Sequence, residues 1–131
     1  MSTEIPEDHL YTESHEYIAV VDDVGTLGLT QYAVTELNEI IYLELPEAGD
    51  EVRAGEPFGS VEAVKAVFDL NSPVTGEVIE VNEAAVENPQ IVTDDPYEKG
   101  WLVRVRISDP DELDNLMNSD AYQEHCESEA H

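Results

Sequence analysis

The sequence has very few basic residues and a single cysteine. Five Lys and Arg stand against 31 Asp and Glu in 131 residues, which gives a formal net charge of −26 with His neutral. Nucleic acids and anionic membranes are bound through clustered Lys and Arg, so the composition argues against both classes of partner. With Cys126 as its only cysteine, the chain cannot form an intramolecular disulfide or a zinc site built on several cysteines.

Long apolar runs are also missing. No run approaches the roughly 18 residues that a membrane-spanning helix needs, and the first ten residues lack the basic and apolar segments of a signal peptide. We therefore expect a cytoplasmic protein without a membrane segment. Hydrophobic residues still make up 41% of the chain, which is enough for one core. The length predicts a single domain over residues 1–131 that ends in a frayed acidic tail.

The excess of carboxylates suggests adaptation to concentrated salt. Near 1 M salt the Debye length falls to about 3 Å, which screens the repulsion among surface charges. We therefore hypothesise that the protein comes from a salt-loving cell. The alternative is an ordinary acidic protein with a well-solvated charged face.

Several segments have the composition of β-strands. Residues 15–29 contain two apolar runs separated by Asp22-Asp23, which is typical of a hairpin. Residues 39–45 predict a strand with an inward face of Ile41, Leu43 and Leu45. Short pieces between Gly and Pro turns follow, and the last strand predicted has Trp101, Val103, Val105 and Ile107 on one face. Many short strands of this kind predict a compact, mainly β barrel or sandwich.

Two short helical regions separate these strands. Thr30 is placed to cap a helix over residues 31–37, with Tyr32 and Leu37 facing inward. Residues 83–100 predict a long connection with one or two short helical turns.

The C-terminal region predicts two more helices. Asp109 has the position of an N-cap before Pro110 and Glu112. The inward stripe of that helix would consist of Leu113, Leu116 and Met117. Ser119 is placed to cap a second short helix that carries Tyr122.

A search for enzyme motifs finds no supporting pattern. Phosphate-binding, dinucleotide-binding, nucleophile-elbow and zinc-protease motifs are all missing from the sequence. The four histidines, His9, His15, His125 and His131, are scattered, and we expect no metal site from them. The pair His15-Glu16 fits the polar start of a strand better than an acid/base pair.

Lys65 is the residue that the local pattern does not explain. It is one of only two lysines, and it lies in the apolar run V-E-A-V-K-A-V-F. If this run forms two strands, Lys65 falls at the hairpin tip, and the inward residues are Val61, Ala63, Ala66, Phe68 and Leu70. Both a functional lysine and an edge-strand lysine with its ammonium in water fit this pattern.

The sequence around Lys65 carries a resemblance to a known family. Residues 59–82 read G-S-V-E-A-V-K-A-V-F-D-L-N-S-P-V-T-G-E-V-I-E-V-N. This resembles the lipoyl-lysine region of the glycine cleavage system H proteins, which typically reads V-E-S-V-K-A-x-S-D-x-x-S-P-x-x-G-x-V-x-E-V-N. Further matches follow the family's order, at Y-T-E-S-H-E-Y, G-L-T-Q-Y-A, I-Y-L-E-L-P-E-A-G-D, N-P-Q-I-V-T-D-D-P-Y-E-K-G-W-L and S-D-P-D-E-L. The resemblance covers residues 9–125, which we take as the core of the domain.

This resemblance implies a fold and a site. The fold would be a barrel-sandwich hybrid of the lipoyl/biotinyl type, with short helices that include one at the C-terminus. Lys65 would carry lipoate in amide linkage, and Glu62 would lie near the attachment turn. Ser14, Glu16 and Asp69 would line a cleft for the loaded arm, where a carboxylate suits a cationic aminomethyl group.

The resemblance also implies the partners. Glycine decarboxylase, with pyridoxal phosphate, would load the aminomethyl group, and aminomethyltransferase would pass the one-carbon unit to tetrahydrofolate. Dihydrolipoyl dehydrogenase would reoxidise the arm, and a lipoate ligase or lipoyl transferase would attach it. The chain would then be a carrier and no enzyme, and we expect a monomer that binds each partner weakly.

Other carriers share part of this pattern. Biotin carriers usually place their lysine between methionines, whereas Val64 and Ala66 flank Lys65. Lipoyl domains of 2-oxo-acid dehydrogenases have Ala/Pro-rich linkers, which this chain lacks. An H-like carrier that serves lipoate relay stays open as an alternative. The chain departs from the H-protein pattern at Tyr17, where the family has Trp, and at Ala63 and Phe68, where it has Ser.

The salt hypothesis makes a direct prediction. We expect the melting temperature to rise between dilute buffer and about 1 M NaCl, because added salt screens the repulsion among carboxylates. Differential scanning calorimetry at several salt concentrations measures this change. A protein that is fully stable in dilute buffer would contradict the hypothesis.

Overall fold

The computed structural model describes residues 6–37, 39–64 and 66–129, and in Glu129 only the backbone. The strands are β1 (Leu10–Tyr11), β2 (Glu16–Val21), β3 (Val24–Leu29), β4 (Ile40–Glu44), β5 (Glu51–Val52), β6 (Pro57–Ala63), β7 (Val67–Asn71), β8 (Gly76–Val81) and β9 (Val103–Ile107). The helices are α1 (Gln31–Leu37), α2 (Glu83–Glu87), α3 (Gln90–Asp94) and α4 (Ser119–Glu129), with a 3-10 helix over Pro110–Asn115. No helix among these described segments is long and apolar enough to cross a membrane.

The strands form two antiparallel sheets. Six strands pair in the order β1-β2-β3-β9-β8-β5, and three pair in the order β4-β6-β7. The predicted hairpin is confirmed: β2 and β3 pair along their whole length around Asp22-Asp23. Asp22 has φ 57°, a left-handed conformation that Asp tolerates better than most residues, which explains this turn.

One hydrophobic core joins the two sheets. Its members from the larger sheet include Ile18, Leu27, Val78, Val103 and Val105, and those from the smaller sheet include Leu43, Val61 and Leu70. All of these side chains are buried. The mainly β fold class is thereby confirmed, together with the short helices and the C-terminal helix.

The predicted inward face of β4 is partly wrong. Leu43 is buried as expected, but Ile41 is exposed and its neighbour Ile40 is buried instead. The pairing of β4 with β6 has an irregularity between Ile40 and Tyr42. Such a bulge inserts one extra residue and reverses the alternation of side chains beyond it, which a period-2 pattern does not anticipate.

The hairpin of β6 and β7 agrees with the sequence prediction on only one of its strands. Val61 and Ala63 of β6 are buried, whereas on β7 only Leu70 is. Ala66 and Phe68 were predicted inward and are exposed. The reason is that β7 is the edge strand of the three-stranded sheet, so no further strand covers its outer half.

The helix caps follow the sequence in one case and depart from it in another. The Thr30 hydroxyl accepts a hydrogen bond from the Ala33 N–H (3.2 Å), which confirms the cap of α1. At α4 the cap is Asn118 and not Ser119, because the Asn118 side chain accepts from the Ala121 N–H (2.8 Å). Helix α4 also continues to Glu129, so the first part of the tail predicted as frayed, residues 127–131, is helical, and residues 130 and 131 lie outside the described residues.

The segment after Asp109 forms a 3-10 helix. Asp109 caps it by accepting from the Asp111 N–H, as predicted. The helix ends at Asn115, however, so the predicted stripe of Leu113, Leu116 and Met117 is not helical throughout. The Glu112 carboxylate leaves the helix surface and accepts from both the N–H (2.7 Å) and the hydroxyl (2.9 Å) of Thr75. This pair ties the segment to the start of β8.

Helix α4 is held by a buried tyrosine. The Tyr122 hydroxyl hydrogen-bonds with Thr30 Oγ1 (2.6 Å) and with His15 Nδ1 (2.7 Å). Its ring stacks on Tyr11 with centroids 4.5 Å apart. Burial raises the pKa of the Tyr122 hydroxyl, so this group stays neutral and can donate to one partner while it accepts from the other. Tyr122 therefore joins α4 to the start of α1 and to the turn before β2.

We expect Tyr122→Phe to destabilise the fold. The substitution leaves the Thr30 hydroxyl buried without this partner, which costs about 1–3 kcal/mol in the free energy of unfolding. Urea denaturation measures the difference. The control is Tyr42→Phe, since Tyr42 is 52% exposed. Equal effects of the two substitutions would contradict this account of how α4 is held.

Candidate functional site

The residue singled out by sequence, Lys65, lies outside the described residues. The described strands β6 and β7 flank it in the chain and pair antiparallel. The Ala63 N–H donates to the Ala66 carbonyl (2.8 Å), so the pairing continues up to the residues on either side of the connection. Val64, just before Lys65, is exposed.

One side of this hairpin forms the wall of a cleft of about 370 Å³. The polar residues of its lining are Ser14, His15, Glu16, Tyr32, Glu36, Asp69 and Asn71, and its apolar residues are Leu29, Ala33, Leu37, Val61, Phe68 and Leu70. The lining comes from the turn before β2, from β3 and α1, and from the β6–β7 hairpin. The cleft therefore lies where the two sheets meet.

A buried carboxylate stands in this cleft. Glu16 is 1% exposed. Its Oε1 accepts hydrogen bonds from the hydroxyls of Thr12 and Ser14 (2.5 Å each), and its Oε2 accepts from the Asn71 backbone N–H (3.1 Å). Burial raises the pKa of Glu16 above its usual 4.5, and the hydrogen bonds from Ser14, Thr12 and Asn71 oppose this shift. Among the described residues that line the cleft there is no Lys or Arg to pair with this carboxylate.

The turn before β2 positions Glu16. The His15 N–H donates to the Thr12 carbonyl (3.2 Å), and the Glu16 N–H donates to the Thr12 hydroxyl (3.0 Å). His15 has φ 72°, a left-handed conformation that is costly for a residue with a Cβ. Its ring stacks on Tyr32 of α1, with centroids 4.6 Å apart. This strained residue lets the chain reverse so that Ser14 and Glu16 reach the same cleft.

The structure brings together the three residues predicted for the cleft, Ser14, Glu16 and Asp69. Glu62, predicted near the attachment turn and not in the cleft, is exposed on β6 opposite Val67. Sequence reasoning missed Thr12 and Asn71. Asn71 contributes its backbone N–H, which no side-chain pattern reveals. Thr12 could have been found, because Thr12, Ser14 and Glu16 alternate along the sequence.

A second cavity of about 480 Å³ adjoins the first. It shares Ser14 and Asn71 with the cleft, but neither Glu16 nor Asp69 lines it. No described residue between 56 and 70 lines it, so Asn71 at the end of β7 is the one described residue of the β6–β7 hairpin that it contacts. In the part of the chain that the structure describes, no group of three or more His, Cys, Asp or Glu could hold a metal ion. The cleft of Glu16 is therefore the candidate site.

Comparisons with known proteins agree with this geometry. The sequence model of the family described as "Glycine cleavage H-protein" matches residues 9–129. The chain is 49% identical over 129 residues to the glycine cleavage system H protein of Nostoc punctiforme, covering 98% of this chain and 100% of that protein. The chain belongs to the glycine cleavage H-protein family.

Other members of the family give the same result. The H protein of Carboxydothermus hydrogenoformans is 46% identical over 125 residues, which cover 95% of this chain and 96% of that protein. Among solved structures, the H protein of Mycobacterium marinum superposes with a TM-score of 0.86 at 37% identity, covering 92% of this chain and 97% of that one. This likeness confirms the barrel-sandwich fold. The chain is a lipoyl carrier of the glycine cleavage system, and H proteins bear their lipoate covalently on a lysine.

The cleft fits such a group. Lipoate supplies a dithiolane at the end of a long hydrocarbon arm, and a disulfide in so small a ring opens readily on reduction. The apolar lining from Leu29, Leu37 and Val61 suits the hydrocarbon part. The carboxylate of Glu16 suits a cationic cargo.

The raised pKa of Glu16 predicts a pH dependence of stability. The unfolded chain loses the Glu16 proton near pH 4.5, whereas the folded chain loses it only at higher pH. The folded state therefore binds more protons in this window, and its stability falls as pH rises through it. We expect the free energy of unfolding of the native protein, relative to Glu16→Gln, to decrease from pH 4.5 upward and to level off above the raised pKa.

Denaturant unfolding at a series of pH values measures this difference. The matched control is Glu62→Gln, which removes the same formal charge from an exposed position. If the two variants differ from the native protein by the same amount at every pH, burial does not perturb Glu16.

Proposed function

We propose that Lys65 carries the lipoate and that the cleft of Glu16 holds the aminomethyl cargo between visits to the partner enzymes. The observation that carries this proposal is the β6–β7 hairpin, whose two strands end and begin on either side of Lys65 in the chain. Its strand β7 supplies Phe68, Asp69, Leu70 and Asn71 to the wall of the cleft. The attachment point and the cleft thus belong to one hairpin, three residues apart at their closest in sequence.

Lys65 is favoured over the only other lysine. H proteins bear lipoate on a lysine, and this chain has Lys65 and Lys99. The backbone of Lys99 is engaged between α3 and β9, where its carbonyl accepts from the Asn82 side chain (2.9 Å). Lys99 does not line the cleft. Only Lys65 has the V-E-A-V-K-A context of the family's attachment site.

Three carboxylates suit the cleft to a cationic cargo. Glu16 is held by hydrogen bonds at the buried end of the cleft, and Asp69 and Glu36 are exposed residues of its lining. A protonated amine in the cleft would find a charge-assisted hydrogen bond at Glu16. The surrounding apolar residues would exclude the water that hydrolyses the cargo.

Further properties of the chain follow from this role. As the carrier it is a substrate of enzymes and no enzyme itself, and it acts as one domain over residues 1–131. Its partners would be glycine decarboxylase, aminomethyltransferase, dihydrolipoyl dehydrogenase and the enzyme that attaches lipoate. Since one arm must visit several active sites in turn, we propose a monomer that binds each partner weakly. The cytoplasmic location stays a prediction from the sequence.

Attachment at Lys65 can be tested with matched variants. We expect Lys65→Arg to abolish the mass increase of one lipoyl group after incubation with lipoate ligase, because arginine offers no acylable amine. Lys99→Arg is the control and should gain the full mass. Intact-mass spectrometry measures both, and lipoylation that persists in Lys65→Arg would defeat the assignment.

A second measurement separates glycine cleavage from lipoate relay. The lipoylated protein is combined with glycine decarboxylase and glycine labelled at its carboxyl carbon, and labelled carbon dioxide is counted. We expect release with the native protein and background release with Lys65→Arg. A lipoylated native protein that supports no release would favour the relay.

A further inference from the structure

Phe68 is an apolar residue in an exposed position of the cleft. It is 51% exposed, although its neighbour in the same sheet, Val61, is fully buried. The two residues are paired directly across β6 and β7, so their side chains project from the same side of the sheet. H proteins typically have serine at this position. An exposed serine at the edge of a cleft needs no explanation because it is polar. An exposed phenylalanine keeps apolar surface in water, so its presence there needs an explanation.

Phe68 lines the cleft, whereas its neighbour Val67 does not. The cleft wall formed by β7 begins at Phe68 and continues through Asp69, Leu70 and Asn71. Val67, the preceding residue, is 62% exposed and does not line it. Phe68 and Val67 are therefore both apolar and exposed, but only Phe68 lines the cleft.

An occupant of the cleft would change the environment of Phe68 more than that of any polar residue there. A half-exposed phenylalanine gains free energy when an apolar group removes it from water. The other exposed residues of the lining are polar and offer no such contact: Ser14, Glu36 and Asp69. Sulfur also packs favourably against aromatic rings.

We propose that Phe68 is a positioning residue for the cargo: it covers the hydrocarbon and sulfur part of the arm and so holds the aminomethyl group in the cleft, away from water. This inference rests on the proposed function of the cleft. It assigns the retention of the cargo to two different contacts, an apolar one at Phe68 and an ionic one at the carboxylates.

Salt weakens the ionic contact and leaves the apolar one intact. Salt screens the attraction between an ammonium group and an exposed carboxylate such as Asp69, whereas it does not weaken the burial of apolar surface. In a chain with a net charge of −26, an apolar contact is the one that keeps its strength in concentrated salt. Salt dependence therefore distinguishes the contribution of Phe68 from that of Asp69.

The test follows the loss of cargo from lipoylated protein without any partner enzyme. A phosphine reduces the dithiolane to a dithiol, consuming one water and becoming the phosphine oxide. One thiol then condenses with formaldehyde and ammonia to give an S–CH2–NH2 group and one water. After desalting, hydrolysis of the protonated cargo consumes one water and returns the thiol, formaldehyde and ammonium. The formaldehyde released is measured over time for the native protein, Phe68→Ser, Phe68→Leu and the matched control Val67→Ser.

We expect cargo loss from Phe68→Ser to be about fivefold faster than from the native protein, because serine buries little apolar surface. Phe68→Leu should be close to native, and Val67→Ser should match the native protein. At 2 M NaCl we expect roughly the same factor for Phe68→Ser, while the effect of Asp69→Asn shrinks toward none. Calorimetry gives a second readout: loading should raise the melting temperature of the native protein more than that of Phe68→Ser.

The outcomes separate this inference from the proposed function. If the native protein does not load, or loses its cargo as fast as a free S-aminomethyl thiol, the proposed function of the cleft fails. If the native protein retains its cargo and Phe68→Ser retains it equally, only the role of Phe68 is overturned. Equal acceleration in Phe68→Ser and Val67→Ser would also overturn it, since that result reports a general effect on the hairpin.

Discussion

The site depends on keeping one carboxylate out of water while its oxygens stay hydrogen-bonded. Glu16 meets this constraint with the hydroxyls of Thr12 and Ser14 and the backbone N–H of Asn71. The first two belong to the turn before β2 in the six-stranded sheet, and Asn71 ends β7 in the three-stranded sheet. The buried carboxylate therefore links the two sheets at the point where the cleft opens. An unsatisfied charge there would cost more than the fold of a small domain can offset.

Much of the fold could be predicted from local chemistry. The hairpin at Asp22-Asp23 and the cap at Thr30 follow from the preferences of single residues for turns and helix starts. The faces of β4 could not be predicted, because the bulge after Ile40 is set by its partner β6. The exposure of Phe68 was equally hidden, since only the order of strands shows that β7 lies at an edge.

The candidate site was predicted only in part. The resemblance to H proteins indicated Ser14, Glu16 and Asp69, and the structure brings all three to one cleft. The local pattern alone favoured a structural role for Glu16 at the polar start of a strand. With 31 Asp and Glu in the chain, the pattern gives no reason to single out one carboxylate. The Asn71 contribution comes from the backbone and depends on how the two sheets meet. Such a contact exists only at the tertiary level.

The surface of the molecule is divided between charge and apolar groups. Of the large hydrophobic residues that are exposed in the described chain, Val21 stands apart, and the rest lie in β4 and around the β6–β7 connection: Ile41, Tyr42, Val64, Val67 and Phe68. Tyr42 and Val67 flank Glu62 in the pairing of the three strands. Charge repels copies of a carrier from one another, whereas its partners must contact the segment that bears Lys65. Residues 58–76 hold only two acids, Glu62 and Asp69, which is consistent with both demands.

The C-terminal helix contributes to the site through the same turn that positions Glu16. Tyr122 of α4 hydrogen-bonds with His15, and His15 stacks on Tyr32, which lines the cleft. The left-handed conformation of His15 is costly by itself, and the stacking on Tyr32 and the hydrogen bond with Tyr122 help to hold it. Without α4 the turn would lose one of these contacts, and Ser14 and Glu16 would lose the backbone geometry that aims them at one point. The helix is thus far from Lys65 in sequence, yet it supports the conformation of the residues that would receive the cargo.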